Sequence, residues 1–240
     1  MTFTAIGACP ESGRLGVGIA TYSIGVGGYC PFVERGVAAL STQAFANPAL
    51  GPEAMTVLRT NADPERTLAG LAESDTGFAW RQVVIASADG RIAAHTGAHT
   101  RPWSGHVTGD GFAVFGNVLA GEETVRAMAE TWRNRGGDDL PERLLAALEA
   151  GRDAGGQAAA DGSHLAERSS ALIVRGPDIV EDFDLRVDLH DDAVGELRRL
   201  YERYRTYLPY YALRARAPSQ TPPQDAWARE NDPADRAPKG

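Results

Sequence analysis

Thr2-Phe3-Thr4-Ala5-Ile6-Gly7-Ala8-Cys9-Pro10-Glu11-Ser12-Gly13-Arg14-Leu15-Gly16-Val17-Gly18-Ile19-Ala20-Thr21 opens the chain and carries its first structural signal. Phe3 to Ala8 reads as a short strand that stops at Pro10, because proline cannot donate to a sheet ladder. Glu11-Ser12-Gly13 is turn chemistry. Leu15 to Thr21 resumes with apolar residues at alternating or continuous positions, the pattern of a buried strand. A hairpin at the amino terminus is the expectation.

Working outward, Gly25-Val26-Gly27-Gly28 lets the backbone come close to another group, and Gly36 to Thr42 is a further strand. Pro52 is expected at a first helical position, with Ala54, Met55, Val57 and Leu58 as an apolar stripe. Asp63-Pro64 opens a second helix with Asp63 as its cap. Gln82 to Ala86 and Arg91 to Thr96 flank Asp89-Gly90, a hairpin signal, and Phe112 to Phe115 is a strand running into Gly116-Asn117. Helices are predicted over 122–135, 140–150 and 194–208, and strands over 169–174 and 183–189. Asp191-Asp192 caps the last helix. Residues 154–162 form a small-residue loop. From about Ala215 onward, Pro, Gln, Asp and Arg dominate, so a disordered tail is expected.

Strands come in hairpin groups and helices in pairs, which excludes a βαβ alternation. The economical architecture is α+β, two antiparallel sheets covered by helices. One domain over residues 2–208 with an extension over 209–240 follows.

Composition narrows the class. Of 240 residues, 43% are hydrophobic and 23% charged, enough for one sizeable core. The net charge of -8, with no Lys/Arg cluster, argues against nucleic acid. No apolar run approaches a membrane span. The first residues lack the basic and apolar regions of a secretory signal, and two cysteines are too few for a disulfide scaffold. A cytoplasmic protein with reduced Cys9 and Cys30 is the expectation. His95, His99, His106, His164 and His190 lack metal-ligand spacing, so no metal and no cofactor is expected.

The chemistry centres on the second residue. Methionine aminopeptidases remove Met1 when the next side chain is small, leaving Thr2 as the first residue of a strand. Its α-amine, with a reference pKa of about 8, would sit beside the hydroxyl it could activate. Taken alone this is a weak signal, since many chains begin Met-Thr.

The run from Thr2-Phe3-Thr4-Ala5-Ile6 through Pro10-Glu11-Ser12-Gly13-Arg14-Leu15-Gly16-Val17 resembles the opening of the domain of unknown function 1028 family, placed in the N-terminal-nucleophile (Ntn) hydrolase-like superfamily. The resemblance continues through Glu34-Arg35-Gly36-Val37, Thr42-Gln43-Ala44-Phe45-Ala46-Asn47-Pro48, Arg81-Gln82-Val83, Pro102-Trp103-Ser104-Gly105-His106 and Gly116-Asn117-Val118-Leu119-Ala120-Gly121. It ends with Leu185-Arg186-Val187-Asp188 and the helix that follows.

What this implies is a four-layer αββα sandwich with Thr2, once exposed as the N-terminus, as nucleophile. By a looser analogy with proteasome-type subunits, the loop after Thr42 would supply an oxyanion hole, which brings in Gln43, Ala44 and Asn47; Gln43 and Asn47 would equally build the loop without touching substrate. Asn117 would orient the α-amine or donate to the oxyanion. Tyr22 stands where relatives carry Lys or His, and a phenol cannot lower the amine's pKa by charge.

Other positions divide between function and structure. Trp103 and His106 would line a substrate pocket, or pack in the core and bond to backbone. Arg81 would anchor a substrate carboxylate, or serve a structural ion pair. Cys30 reads as a buried small hydrophobe. Arg198, Arg199, Arg203 and Arg205 alternate with Tyr201, Tyr204 and Tyr207 on an amphipathic helix, which suggests a solvated face or a homodimer contact. Two functions follow: an amidohydrolase acting on a small amide or N-acyl compound through an acyl-enzyme on Thr2, and a non-catalytic binding or assembly module on the same fold.

Overall fold

Thr2 begins a strand with neighbours on both sides, and the molecule is assembled around that strand. The computed structural model describes residues 1–236. In chain order its elements are β1 (Thr2–Cys9), β2 (Arg14–Thr21), β3 (Pro31–Glu34), β4 (Ala38–Ala44), α1 (Leu50–Asn61), α2 (Pro64–Ser74), β5 (Arg81–Ser87), β6 (Ile92–Thr96), β7 (Ser104–Gly109), β8 (Phe112–Asn117), α3 (Glu122–Asn134), α4 (Leu140–Asp153), β9 (Gln157–Ala158), β10 (His164–Leu165), β11 (Ser169–Arg175), β12 (Phe183–Val187), α5 (Ala193–Arg216), α6 (Gln224–Asn231) and α7 (Pro233–Arg236).

The sheets run β12-β11-β2-β1-β8-β7 and β3-β4-β5-β6, with β9 and β10 as a separate pair. Every neighbouring pair is antiparallel. The protein is α+β, as expected. Four strands the hydropathy pattern did not reveal, β3, β7 and the β9–β10 pair, are short or rich in Ser, Gly and Thr.

Alternation along β1 decides what lies on each side. Phe3 and Ala5 pack into a cluster with Trp132 of α3, Leu144, Leu145 and Leu148 of α4, and Tyr201 of α5. Ile6 and Ala8 face the other way, into a cluster shared with Val17, Ile19 and Phe115 of the large sheet and Ala39, Val84 and Ala86 of the small one. Leu50, Met55 and Leu58 of α1 and Leu71 of α2 pack against Leu40, Val83 and Ile85 on the far face of the small sheet.

Local signals account for the helix starts. Asp63 and Asp192 accept from the backbone N–H of Arg66 and Gly195, as N-cap residues do. Helix α1 begins at Leu50, two residues before Pro52, still within the first turn where a missing N–H costs nothing.

The carboxyl terminus departs from the expectation. The boundary at 208 falls inside α5, which continues through Pro209 to Arg216, and the chain is ordered in helices to residue 236. The composition is polar, but a few aromatics are enough to hold it. Trp227 of α6 lies against Tyr207 and Tyr210, both at 5.2 Å between centroids. Buried Asp232 accepts from Arg203 Nε at 3.0 Å and from Tyr207 Oη at 2.9 Å. Arg198 is bound by Glu142 and Glu149 at 2.8 Å each. The basic, tyrosine-rich face of α5 is thus engaged within the chain. Residues 237–240, which the disordered-tail expectation also covered, lie outside the described residues.

Trp227→Ala should detach this segment. The expected result is a loss of about 2 kcal/mol for a half-buried indole, read as a lower denaturation midpoint, with faster proteolysis between residues 217 and 223.

Candidate functional site

The space between the sheets is apolar at one end and polar at the other. Register sets the polar end: Thr2 lies opposite Asn117 on one side and Thr21 on the other, and Thr21 lies opposite Ser169. In the facing sheet Gln43 lies opposite Gln82, and Gln82 opposite Thr96. Period two then turns Thr2, Thr4, Thr21, Gln43, Gln82 and Asn117 toward one another, and all six are buried.

Their hydrogen bonds form one network with Gln82, completely buried, at its centre. Gln82 Oε1 accepts from Gln43 Nε2 at 2.8 Å and from Asn117 Nδ2 at 3.1 Å. Its Nε2 faces the carbonyl of Gly116 at 2.9 Å, Thr96 Oγ1 at 2.9 Å and the carbonyl of Gly105 at 3.2 Å. A carbonyl can only accept, so Gly116 fixes which end of the Gln82 amide is nitrogen. That in turn fixes Asn117 with Nδ2 toward Gln82 and Oδ1 toward the N-terminus. Asn117 Oδ1 accepts from the α-ammonium of Met1 at 2.7 Å. Thr4 Oγ1 donates to Gln43 Oε1 at 2.7 Å.

Thr2 and Thr21 meet hydroxyl to hydroxyl at 3.1 Å, and Thr21 Oγ1 also donates to the carbonyl of Met1. Gly116 is required beside them, since a Cβ there would lie 2.8 Å from Thr2 O and 2.7 Å from Leu119 Cδ1. Burial, followed by the positive charge of Arg101, lowers the pKa of the terminal amine from 8.0 to about 6.

Two non-glycine residues adopt left-handed backbone conformations immediately after site residues: Ala44 (φ 72°) after Gln43, and Val118 (φ 55°) after Asn117. For β-branched Val118 this is a costly conformation, held by its surroundings.

The other sequence candidates lie at or beyond the edge. Arg81 donates from Nε to Asp75 at 2.9 Å and from Nη1 to the Phe45 carbonyl, the structural ion pair rather than a free anchor. Asn47 Oδ1 accepts from Ala49 N at 3.2 Å and builds its own turn. The loop after Thr42 folds back on β5, with Phe45 N–H donating to Trp80 O at 3.4 Å. Tyr22 carries the Arg168 guanidinium 4.1 Å from its ring centroid and accepts from Arg168 Nε at its carbonyl, 2.6 Å away.

Trp103 is half-buried against the helix-side cluster. His106 Nδ1 meets Thr96 Oγ1 at 2.9 Å, which joins it to Gln82, and it lines a groove of about 490 Å³ with Phe78 and His95. Burial and the nearby His95 hold the His106 pKa below its ordinary value. Cys30 is buried, and burial pushes its thiol up to about 12, out of nucleophilic range.

Sequence reading missed Gln82 and Thr21 as site residues. The signal for Gln82 was phase, since it shares a strand face with Val84 and Ala86.

Fold and site together define an α+β protein with a layer of buried hydroxyls and amides around the start of its central strand. By sequence the chain belongs to the family of unknown function DUF1028, which it matches over residues 2–197. It is similar to the crystal structure of protein SPO2555 from Silicibacter pomeroyi, of the same family. The identity is 30% over 84% of this chain and 88% of that one, with a TM-score of 0.75. Anbu (ancestral beta-subunit) from Yersinia bercovieri aligns at 11% identity over 93% of this chain and 99% of that one. Its TM-score of 0.37 is too low to carry an argument. No curated protein matches the chain in sequence. No helix among the described residues is long and apolar enough to cross a membrane.

Gln82→Leu should cost at least about 3 kcal/mol by chemical denaturation, because apolar leucine strands several buried donors and acceptors at once. A loss below 1 kcal/mol would contradict the central place given to this amide.

Proposed function

We propose that the chain is an N-terminal-nucleophile amidohydrolase acting on a small amide or N-acyl compound, with Thr2 as nucleophile after Met1 is removed. The observation that carries this reading is the placement of Thr2 Oγ1 in the polar layer, 3.1 Å from Thr21 Oγ1 and opposite Asn117 in register. We read the architecture as the four-layer αββα sandwich of that superfamily. Its support is the apolar cluster shared between the sheets, with helix-packed clusters on their outer faces.

Removal of Met1 would put the Thr2 nitrogen where a peptide bond now lies, beside the Thr21 hydroxyl that donates to the Met1 carbonyl. Thr21 and Asn117 Oδ1 would then hold the new amine as acceptors. The neutral amine takes the proton from Thr2 Oγ1 as the oxygen attacks the carbonyl carbon. The proton passes to the leaving nitrogen as the C–N bond breaks, and water then releases the acid from the ester and restores the hydroxyl. Asn117 turns Oδ1 toward the amine and gives one of the two Nδ2 hydrogens to Gln82, which makes it the orienter of the amine. Burial and then the Arg101 charge lower the Met1 amine of the unprocessed chain, so this end of the site has a positive charge without one at position 22.

With Met1 retained, its ammonium occupies Asn117 and the Thr2 nitrogen is an amide with no basicity. A retained Met1 therefore favours the second reading, a binding or assembly module. Mass spectrometry of the native N-terminus separates the two.

Three outcomes are expected on a panel of amides, lactams and N-acyl amino acids. Thr2→Ala abolishes turnover and Thr2→Ser keeps some of it; full activity in Thr2→Ala would end the nucleophile reading. Asn117→Ala, which removes the acceptor that holds the amine, lowers kcat, and Asn117→Asp moves the rise of activity to higher pH because a carboxylate favours the charged amine; an unchanged kcat in Asn117→Ala would remove the orienting role. The base works only when neutral, so activity should rise with pH through the pKa of the Thr2 amine. Burial and the Arg101 charge lower the Met1 amine of the unprocessed chain, and the same surroundings should place that rise below the reference value of about 8; a rise centred at or above 8 would mean that they do not act on the Thr2 amine.

A further inference from the structure

Both walls of the Thr2 site lead outward to one exposed patch. From the large sheet, Val118 follows Asn117, and its N–H donates to the carbonyl of Arg101 at 3.2 Å. From the small sheet, Phe45 lies two residues beyond Gln43, past the left-handed turn at Ala44. The two walls meet where the Arg101 guanidinium lies 5.8 Å from the Phe45 ring centroid. Trp80 sits edge-on to Phe45 at 5.2 Å, and His99 lies along the indole at 4.9 Å. Phe45 is 42% exposed and Trp80 46%. Two large rings are left in water where the chain leaves the strands of the Thr2 site, a place where solvent contact costs free energy until a ligand covers them.

The cation at this rim is available. Among the described residues no carboxylate pairs with Arg101, whereas Arg81 is held by Asp75 at 2.9 Å and Arg168 by the Tyr22 carbonyl at 2.6 Å. Arg101 is exposed, so its donors can meet an incoming anion in the two-pronged geometry a guanidinium favours.

We propose that this rim selects amides bearing a free carboxylate next to an apolar or aromatic group, as in an N-acyl aromatic amino acid. Arg101 receives the carboxylate, and Phe45 and Trp80 cover the apolar group. This rests on the Thr2 reading above and names its substrate class. The Arg101 carbonyl accepts from Val118, the residue after Asn117, which ties the anchor to the wall of the Thr2 site.

Binding tests this apart from turnover. N-acetyl-phenylalanine and its neutral counterpart N-acetyl-phenylalaninamide would be titrated into the full-length Thr2→Ala protein by calorimetry, with indole fluorescence followed in parallel. The acid should bind about tenfold more tightly than the amide, the scale of one charge-assisted contact. Arg101→Gln should erase that difference and Arg101→Lys should keep part of it. Phe45→Ala should weaken both probes, and Trp80→Ala should remove the fluorescence response. Equal affinity for the two probes, an undiminished difference in Arg101→Gln, or no binding of either would overturn the proposal. Should neutral amides nevertheless be hydrolysed by the wild type and not by Thr2→Ala, the nucleophile reading would stand and only the anionic substrate class would fall.

Discussion

The contact between Gln82 Nε2 and the Gly116 carbonyl, 2.9 Å long and sealed from water, sets the direction of every amide around Thr2. Between two sheets, polar atoms cannot turn to solvent, so each donor must find an acceptor or cost about 1 to 3 kcal/mol. A carbonyl is the one member of the network with no choice of role. From it follow the orientation of Gln82, then of Asn117 and Gln43, and finally the presentation of an oxygen, not a nitrogen, to the terminal amine. Which end of each amide is nitrogen is here dictated by satisfaction of the whole set.

That layer also explains how a polar pocket can exist at the end of an apolar core. Ile6, Val17, Ile19, Val84 and Phe115 fill the space between the sheets, and the strand ends beyond them carry Thr, Gln and Asn on the same face. Alternation with period two extends the apolar rows into polar rows without a change of register. The costly backbone at Ala44 and Val118 falls where those rows leave the sheets. Rigid strands thus hold the hydroxyl pair, and the turns that leave them carry the exposed rings and the cation.

Much of this was legible in the residues, and the boundary between legible and hidden has a physical cause. The β1–β2 hairpin was readable because Pro10 and Gly13 punctuate two apolar runs. The cap at Asp63 was readable because capping is local. Thr2, Gln43 and Asn117 were reached through resemblance, and their meeting depends on pairings across up to 116 positions that no local pattern encodes. Gln82 looked like an ordinary polar residue in a strand; its importance comes from partners on β4, β6, β7 and β8. Arg81 was read as a substrate anchor or as half of a structural ion pair, and it forms the ion pair; its partner Asp75 sits in a loop whose path the sequence does not reveal. The tail was misread because polarity was averaged over the segment, whereas a single indole seated on two tyrosines outweighs the polar residues around it.

The same network constrains what the amine can do. The Met1 amine meets Asn117 Oδ1 at 2.7 Å, no carboxylate is among the causes of its lowered pKa, and burial and the Arg101 charge both act against the charged form. Neutral acceptors orient an ammonium or an amine almost equally well, whereas a carboxylate would have locked it in the charged state. An amine held by Asn117 therefore keeps its partner as it gains and loses a proton, which is what the proposed base beside its own nucleophile would have to do. The choice of Asn over Asp opposite Thr2 is the feature of the site that most favours chemistry over simple capping of the chain end.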